Sequence, residues 1–391
     1  MTKVFEKKIG LVLPGGGARA AYQVGVLKAI SELIPDSNPF SIISGTSAGA
    51  INASLLASRS QSLKEAVEVL SGVWCNFKTN KVYRTETTVM LKSIFQWLLT
   101  VSSGGVLAKN PKSLLDNSPL RQLLEDTINL EGIKNNIDKG NLDAFAITAA
   151  SYSSKKSVTF FQSEEDDIDW ERFLRVGVKT DILIDHLMAS IALPLIFPAV
   201  KINNEYFGDG AMRQATPLSP AIRLGAEKLL IITTDSKSPN NQLTDNQIYP
   251  SIGEVGGYML DALFTGGLLS DLERLDRINQ IIENSGSNIV QTSTKKMNHI
   301  EYLVISPSRD IKQIAKDHFS NVPYSIKLLM KGLGLKNRNE SELLSFLLFE
   351  SSFTLSLIHI SEPTRLLSIG DGGLGVKKKR GGGGGGGGGG G

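Results

Sequence analysis

The feature that most constrains the fold of this chain is a glycine-flanked serine between an apolar segment and a helix-forming one. Residues 41–44 are centred on two isoleucines, the motif Gly45-Thr46-Ser47-Ala48-Gly49 follows, and residues 50–57 are rich in alanine, isoleucine and leucine. This order predicts a strand, a sharp turn and a helix, which is the setting of a nucleophile elbow. The two glycines relieve crowding beside the serine, and the helix N-terminus favours negative charge. Ser47 is therefore the candidate nucleophile.

A glycine-rich loop lies upstream of the elbow, between another predicted strand and helix. Residues 9–13 are apolar, the loop Pro14-Gly15-Gly16-Gly17-Ala18-Arg19 follows, and residues 20–33 carry an apolar helical stripe. Consecutive glycines leave backbone amides free to meet a ligand oxygen, which suits a phosphate or an oxyanion. A flexible connector is the alternative, but a strand and a helix joined this tightly favour an anion site.

The same loop fits a dinucleotide-binding pattern, as Gly15-x-Gly17-x-x-Ala20. That pattern requires an acidic residue about 20 residues further on, at the end of the next strand, to bind a ribose hydroxyl. The next strand ends in Ser44-Gly45-Thr46-Ser47 without a carboxylate, and Asp36 precedes that strand. The sequence therefore disfavours a nucleotide cofactor.

An aspartate further along the chain is also flanked by glycines, in Gly208-Asp209-Gly210-Ala211. The glycines allow a turn that points the Asp209 carboxylate into a crowded site. A turn in which Asp209 stabilises its own backbone is an equally common use of this residue type. The residues alone leave both interpretations open.

The glycine-rich loop, the serine elbow and the Asp-Gly-Ala triplet, in this order, resemble those of the patatin-like phospholipases. The resemblance covers about residues 8–235 and includes the stretch 189–198 that precedes the triplet. It implies an α/β protein with a three-layer α/β/α fold and a mostly parallel central sheet. The helix patterns beyond residue 235 add a helical C-terminal extension to this expectation.

The resemblance also implies roles for individual residues. Ser47 corresponds to the family's nucleophile and Asp209 to its partner in a Ser–Asp dyad. The loop residues Gly15, Gly16, Gly17 and Arg19 correspond to the oxyanion hole, although a surface cation is the alternative for Arg19. The implied reaction cleaves fatty-acyl esters of phospholipids, lysophospholipids or related lipids through an acyl-enzyme.

The four histidines decide between a dyad and a triad, because a Ser–His–Asp triad requires a histidine near Ser47. His186 is the best placed of them, but its apolar helical surroundings favour a structural role. We therefore predict that Asp209 removes the serine proton directly, which requires burial to raise its pKa. The chain shows no paired-histidine spacing and no Asp-rich loop, so neither a metal nor another cofactor is expected.

The predicted strands alternate with helices, which indicates a mostly parallel sheet covered on both faces. Besides those beside the two motifs, strands are predicted at 141–148, 157–161, 228–234 and 301–305. A long amphipathic helix is predicted at 268–282.

The sequence divides into three parts, namely residues 8–235, residues 236–354 and residues 355–391. Residues 8–235 are the predicted catalytic domain, with a helical, lid-like insertion around 60–135, and residues 236–354 are the mainly helical extension. Within the insertion, the apolar residues 89–106 indicate either an interfacial lid or an ordinary buried helix.

Residues 355–391 are predicted to be a non-native, disordered tail. Residues 355–365 resemble translated sequencing-adapter sequence, and the chain ends in a lysine cluster and an unbroken glycine run. A natural basic tail is the alternative. We therefore expect a protein that ends at Thr354 to keep its activity.

Charge and composition limit the partners. The chain has 42 basic and 39 acidic residues, and the basic excess lies wholly within residues 355–391, so nucleic acid is not an expected partner. The single cysteine, the absence of a signal-like N-terminal stretch and the absence of a long apolar run predict a cytoplasmic protein. The expected partner is a lipid ester, met at a membrane surface. A soluble carboxylesterase or thioesterase and a catalytically silent lipid-binding module remain the alternatives.

Overall fold

The computed structural model describes residues 7–35, 37–103, 113–165, 170–236, 249–285, 298–334 and 341–360. The strands are β1 (Ile9–Leu13), β2 (Phe40–Thr46), β3 (Ala144–Ser151), β4 (Ser157–Ser163), β5 (Trp170–Arg172), β6 (Arg175–Lys179), β7 (Val200–Ile202), β8 (Glu205–Asp209), β9 (Lys228–Ile232) and β10 (Glu301–Ile305).

The helices lie between these strands and after the last of them. They are α1 (Ala21–Leu33), α2 (Ala48–Ser58), α3 (Leu63–Cys75), α4 (Thr79–Val82), α5 (Thr87–Ser102), α6 (Ser118–Thr127), α7 (Leu130–Asp138), α8 (Ile184–Ser190), α9 (Ser219–Arg223), α10 (Ile252–Ser285), α11 (Ile311–Asp317), α12 (Tyr324–Gly332), α13 (Ser341–Leu347) and α14 (Ser351–His359). Short 3-10 turns lie at Gly17–Ala20, Gly210–Met212 and Phe319–Asn321.

One central sheet has the strand order β10-β9-β1-β2-β3-β4-β6-β5. Every neighbouring pair from β10 to β3 is parallel, as is the pair of β4 with β6. The remaining pairs are antiparallel: β3 with β4 and β8, β5 with β6, and β7 with β8. The predicted mostly parallel sheet is therefore confirmed.

Alternate residues of the central strands belong to two separate hydrophobic clusters, one on each face of the sheet. On β1, Leu11 and Leu13 pack in the larger cluster, with α1, α2, α3 and α14, whereas Val12 packs in the smaller one. Leu218 and Leu275 bring the region of α9 and α10 to that second face. Because successive side chains of a strand point to opposite faces, this partition gives the three-layer α/β/α architecture.

The predicted strands at 157–161 and 228–234 end within two residues of the ends of β4 and β9, and two other elements differ more from their predicted bounds. β3 begins three residues later than predicted because the amides of Asn141 and Leu142 still donate to Asn136 O at the end of α7. It extends to Ser151 because its last residues pair with β8. The predicted helix at 268–282 is the second half of the 34-residue α10, whose five glycines in the first half weaken the sequence signal for a helix.

The C-terminal region contacts the rest of the fold at both the sheet and the helices. β10 joins the edge of the sheet by pairing with β9, and α14 packs against α1 and α3. The structure differs here from the prediction of a tail that begins at residue 355, because α14 continues to His359. Leu357 and Ile358 are buried in the larger cluster, which explains why the helix does not stop at Thr354. Residues 361–391 lie outside the described residues.

The predicted insertion around 60–135 contains α3 to α6 and the first part of α7. Within the apolar stretch 89–106, α5 is helical and Phe95 is 63% exposed, while residues 104–106 lie outside the described residues. In the part of the chain that the structure describes, none of the helices has the length and apolar character needed to cross a membrane.

Candidate active site

Ser47 occupies a strained turn between β2 and α2. Its φ of 54° and ψ of −131° are unusual for a residue with a side chain, and the surrounding structure must hold the residue in that conformation. A Cβ at Gly49 would overlap the carbonyl oxygen of Leu13, and one at Gly45 would lie 2.6 Å from the Cα of Ala50. The motif therefore requires its two glycines for close backbone packing.

The register of β3 brings Ser47 and Asp209 together. β2 ends at Thr46, which is paired with Thr148, and β4 covers the opposite edge of β3. β8 approaches β3 antiparallel, with Asp209 paired to Ala149, the residue after Thr148. β8 thus occupies the edge of β3 that β2 leaves free, and the ends of the two strands meet there.

The two side chains form a short, buried hydrogen bond. Ser47 Oγ donates to Asp209 Oδ2 at 2.6 Å, and the amide of Ala211 donates to Asp209 Oδ1 at 2.9 Å. Asp209 is fully buried. Burial raises the pKa of Asp209 to about 7, although the hydrogen bonds from Ser47 and Ala211 act in the opposite direction. A carboxylate in this state can accept a proton near neutral pH.

Ser190 supports the elbow from the end of α8. The amide of Ser47 donates to Ser190 Oγ at 2.9 Å, and Ser190 Oγ donates to the carbonyl oxygen of Thr148 at 2.7 Å. Sequence reasoning singled out the stretch 189–198 only through its resemblance to a family, and gave Ser190 no role. A serine in a helix carries no local signal for such a contact.

The glycine-rich loop lies beside Ser47. A Cβ at Gly15 would be 3.0 Å from the Cβ of Ser47, and Gly17 and Ser47 border the same cavity. Among the described residues, the amides of Gly16 and Gly17 donate no hydrogen bond to a loop or a side chain. They precede the first donors of the 3-10 turn, so they are available to a ligand oxygen. Thr234 Oγ1 anchors the loop by donating to the carbonyl oxygen of Gly15 at 3.2 Å.

Arg19 points into the C-terminal region. Its side chain is 2% exposed, so the alternative of a surface cation is wrong. Its guanidinium donates to Ser345 Oγ and Asp261 Oδ1 and lies over the ring of Phe346. Burial lowers the pKa of Arg19, while the nearby carboxylates of Asp261 and Glu342 raise it. Its predicted help in stabilising an oxyanion stays a prediction.

The hydrogen bond and the ring contact of His186 involve neither Ser47 nor Asp209. The amide of Leu183 donates to His186 Nδ1 at 2.8 Å, and the ring packs against Phe160 at a centroid distance of 4.4 Å. Burial lowers the pKa of His186, which favours its neutral form. These contacts agree with a structural role for this histidine.

A cavity of about 30 Å³ opens at Ser47 and Gly17. It has room for water but not for an acyl chain. Apart from these two residues, its lining is apolar and comes largely from three regions: α2 and α3, the residues after α8, and the C-terminal segment that contains α13. The residues are Ala48, Ile51, Trp74, Phe77, Val82, Leu120, Ile191, Leu193, Phe197, Phe346, Leu347 and Phe349.

The sequence analysis assigned none of these apolar residues to a cavity, and Phe346, Leu347 and Phe349 lie farthest from Ser47 in the chain. They belong to an apolar run that reads like any core helix, and no local pattern links them to a serine 300 positions earlier.

The fold and the site define an α/β protein in which a serine at a strand–helix elbow is hydrogen bonded to a buried aspartate beside a glycine-rich loop. The chain belongs to the patatin-like phospholipase family, whose model matches residues 11–222. The match contains the loop, the elbow and the Asp-Gly-Ala triplet, so the predicted family is confirmed.

Individual proteins match this chain either over a short stretch or at low sequence identity. Lysophospholipase nte1 of Aspergillus terreus is 53% identical over 51 residues, which are 13% of this chain and 3% of that protein. Among solved structures, human GIVD cytosolic phospholipase A2 has a TM-score of 0.46 at 12% identity, covering 93% of this chain and 59% of that one. VipD from Legionella pneumophila has a TM-score of 0.35 at 13% identity, covering 91% and 67%. Similarity at these identities and TM-scores does not identify a substrate for this chain.

Proposed function

We propose that this chain is a serine acyl hydrolase that cleaves fatty-acyl esters of phospholipids, lysophospholipids or related lipids. The observation that carries the proposal is the 2.6 Å hydrogen bond from Ser47 Oγ to Asp209 Oδ2 beside loop amides that are free to bind an oxyanion. The family to which the chain belongs supports the substrate class.

In the proposed reaction, Ser47 Oγ attacks the ester carbonyl carbon while its proton passes to Asp209 Oδ2. The carbonyl oxygen becomes an oxyanion that accepts hydrogen bonds from the amides of the Gly15–Gly17 loop. One such donor typically lowers the barrier by about 2.7–4 kcal/mol. The C–O bond to the alcohol then breaks, and the leaving oxygen takes the proton from Asp209.

The acyl group remains on Ser47 as an ester, and water releases it. Asp209 accepts a proton from the attacking water, and the second tetrahedral intermediate breaks down to the fatty acid as the proton returns to Ser47 Oγ. Asp209 thus serves both half-reactions as acid and base. The pKa of about 7 that burial gives it suits both roles near neutral pH.

The apolar cavity at Ser47 favours an acyl chain over a small polar substrate. Its lining consists of aliphatic and aromatic side chains around the serine. Because Ser47 is only 3% exposed, we propose that its walls separate to admit the substrate. A membrane surface is the proposed source of that substrate, residues 8–235 are the proposed catalytic unit, and the cytoplasm is the proposed location.

A fluorophosphonate probe tests the proposal, because such probes react only with an activated serine. We expect the wild type to be labelled and to hydrolyse phospholipid vesicles, with rates that rise above the micellar limit of short-chain substrates. Folded Ser47→Ala should show neither labelling nor turnover.

The alternatives predict other results. Labelling with equal activity on soluble esters below the micellar limit would indicate a carboxylesterase or thioesterase. An unlabelled wild type that binds vesicles without hydrolysis would indicate a silent lipid-binding module and would refute the proposal.

A further inference from the structure

Behind the oxyanion loop, four charged side chains from four segments meet in one cluster. Arg19 Nη1 lies 3.3 Å from Asp261 Oδ1, and Nη2 lies 3.9 Å from Glu342 Oε1. Lys312 Nζ lies 3.7 Å from Asp261 Oδ1 and also contacts Glu342 Oε1. Two cations thus face two anions, and all but Arg19 belong to the C-terminal helices α10, α11 and α13, beyond the part of the chain that the family model matches.

Two neighbouring residues of α13 orient the Arg19 guanidinium. Its Nε donates to Ser345 Oγ at 2.8 Å, and its Cζ lies 3.7 Å from the centroid of the Phe346 ring. A hydrogen bond in the plane of the guanidinium and a ring against its face hold the group in one orientation. Lysine keeps the charge but reproduces neither contact, because its ammonium is not planar and has no Nε donor.

The backbone of the loop touches the same helices. Gly17 has a φ of +54°, and a Cβ at this position would overlap the carbonyl oxygen of Phe346. A Cβ at Gly15 would lie 2.5 Å from the ring of Phe264 in α10, and that ring packs against Phe346 at 5.3 Å. The loop is therefore enclosed between Ser47 on one side and α10 and α13 on the other.

From these contacts we infer that Arg19 is a positioning residue, which ties the oxyanion loop to α10 and α13. The C-terminal helices thereby complete the oxyanion hole. The inference rests on the proposed function, because it assigns Arg19 an effect on the same reaction. The Arg19 charge is balanced by Asp261 and Glu342, so its contribution passes through the placement of the loop amides. A displacement of about 1 Å in such a site can lower the rate by up to about 100-fold.

Two variants and a matched control test this role. Ser345→Ala removes the hydroxyl that accepts from Arg19 Nε, and Arg19→Lys keeps the charge but not the geometry. Thr354→Ala is the control: its buried hydroxyl, on α14, donates to the carbonyl oxygen of Trp74 at 2.8 Å, away from the loop. Both alanine variants therefore remove one buried hydroxyl that holds a C-terminal helix in place, and we expect similar losses of Tm.

We expect Ser345→Ala and Arg19→Lys to lower kcat by about 10- to 100-fold with KM within about twofold of the wild type. Thr354→Ala should keep the wild-type kcat at a temperature where all variants are folded. A kcat of Ser345→Ala equal to that of Thr354→Ala, or full activity of Arg19→Lys, would overturn the inference. The wild type tests the proposed function independently of the variants. A wild type that is neither labelled nor active would refute the proposed function, whereas an active wild type leaves only the role of Arg19 to be decided by the variants.

Discussion

Two regions meet at the site and are built in different ways. On one side, Ser47 and Asp209 come from short glycine-flanked motifs, and the backbone of β2, β3 and β8 sets their geometry. On the other side, α10 and α13 act through side chains, and the hydrogen bonds from Arg19 to Asp261 and Ser345 span 242 and 326 positions of the chain. Each of these two motifs is therefore built by residues next to one another in the chain, whereas the position of the loop and the shape of the cavity depend on side chains far away in the sequence. Substitutions on the two sides should therefore differ in size and in kind.

The largest expected effect is on the side of the dyad. Asp209→Asn removes the proposed proton acceptor, so we expect kcat to fall by several orders of magnitude, as it does when one member of a catalytic unit is lost. His186→Ala should keep most of the activity, because its ring contacts Leu183 and Phe160 and not Ser47. Steady-state kinetics on phospholipid vesicles measures both.

The histidine variant needs a stability control, because a buried cavity can cost a few kcal/mol. Any loss of activity in His186→Ala should follow its thermal unfolding. A folded His186→Ala protein as inactive as Ser47→Ala would establish a triad in place of the dyad.

The next effect is the pH dependence of that same side. Asp209 acts as a base only when it is ionised, and its pKa is about 7, so kcat/KM should rise about tenfold per pH unit below 7 and level off above it. A profile that is already flat at pH 5 would contradict the raised pKa.

Unfolding free energies measure the same shift independently. The pKa of Asp209 is higher in the folded state than its ordinary 3.8, so between pH 3.8 and about 7 the folded protein keeps a proton that the unfolded chain has lost. Its contribution to stability is therefore present below pH 3.8 and is lost as the pH rises through about 7. The Asp209→Asn protein has no carboxyl at this position, so its stability does not fall in this way. Its free energy of unfolding relative to that of the wild type should therefore increase from pH 4 to pH 8, by up to about 4 kcal/mol.

The smallest expected effect is on the C-terminal side, where we expect the cavity wall to select among acyl chains. Phe349→Ala enlarges the apolar cavity at Ser47, so the ratio of kcat/KM for palmitoyl over octanoyl esters should rise, by roughly tenfold. Phe353→Ala is the control, since Phe353 is fully buried on α14 and does not border the cavity.

Both phenylalanine substitutions should lower the free energy of unfolding by about 3–5 kcal/mol. The two variants should therefore be compared at one temperature at which both are folded. An unchanged chain-length ratio in Phe349→Ala, or an equal change in Phe353→Ala, would show that this wall does not select the acyl chain.

Sequence patterns predicted which segments form strands more closely than they predicted where those segments end. The strands β1 and β9, in the parallel part of the sheet, were visible as apolar runs, because parallel strands buried on both faces read that way. The end of β3 was not, because its last residues are strand only where β8 pairs with them. The end of the packed chain was also misjudged, since Leu357 and Ile358 are buried by a neighbouring helix that local composition does not reveal.

The sequence by itself determined the elbow, the glycine-rich loop and the Asp-Gly-Ala turn, because each depends on residues within a few positions of one another. Only the tertiary structure decided that Ser47 and Asp209 share one edge of β3, because that depends on how β2 and β8 pair with β3, and the two residues are 162 positions apart in the chain. It also decided the surroundings of Arg19. Whether such a side chain faces water or a buried carboxylate depends on which distant segments pack against it. The residues next to Arg19 in the chain do not indicate which of the two occurs.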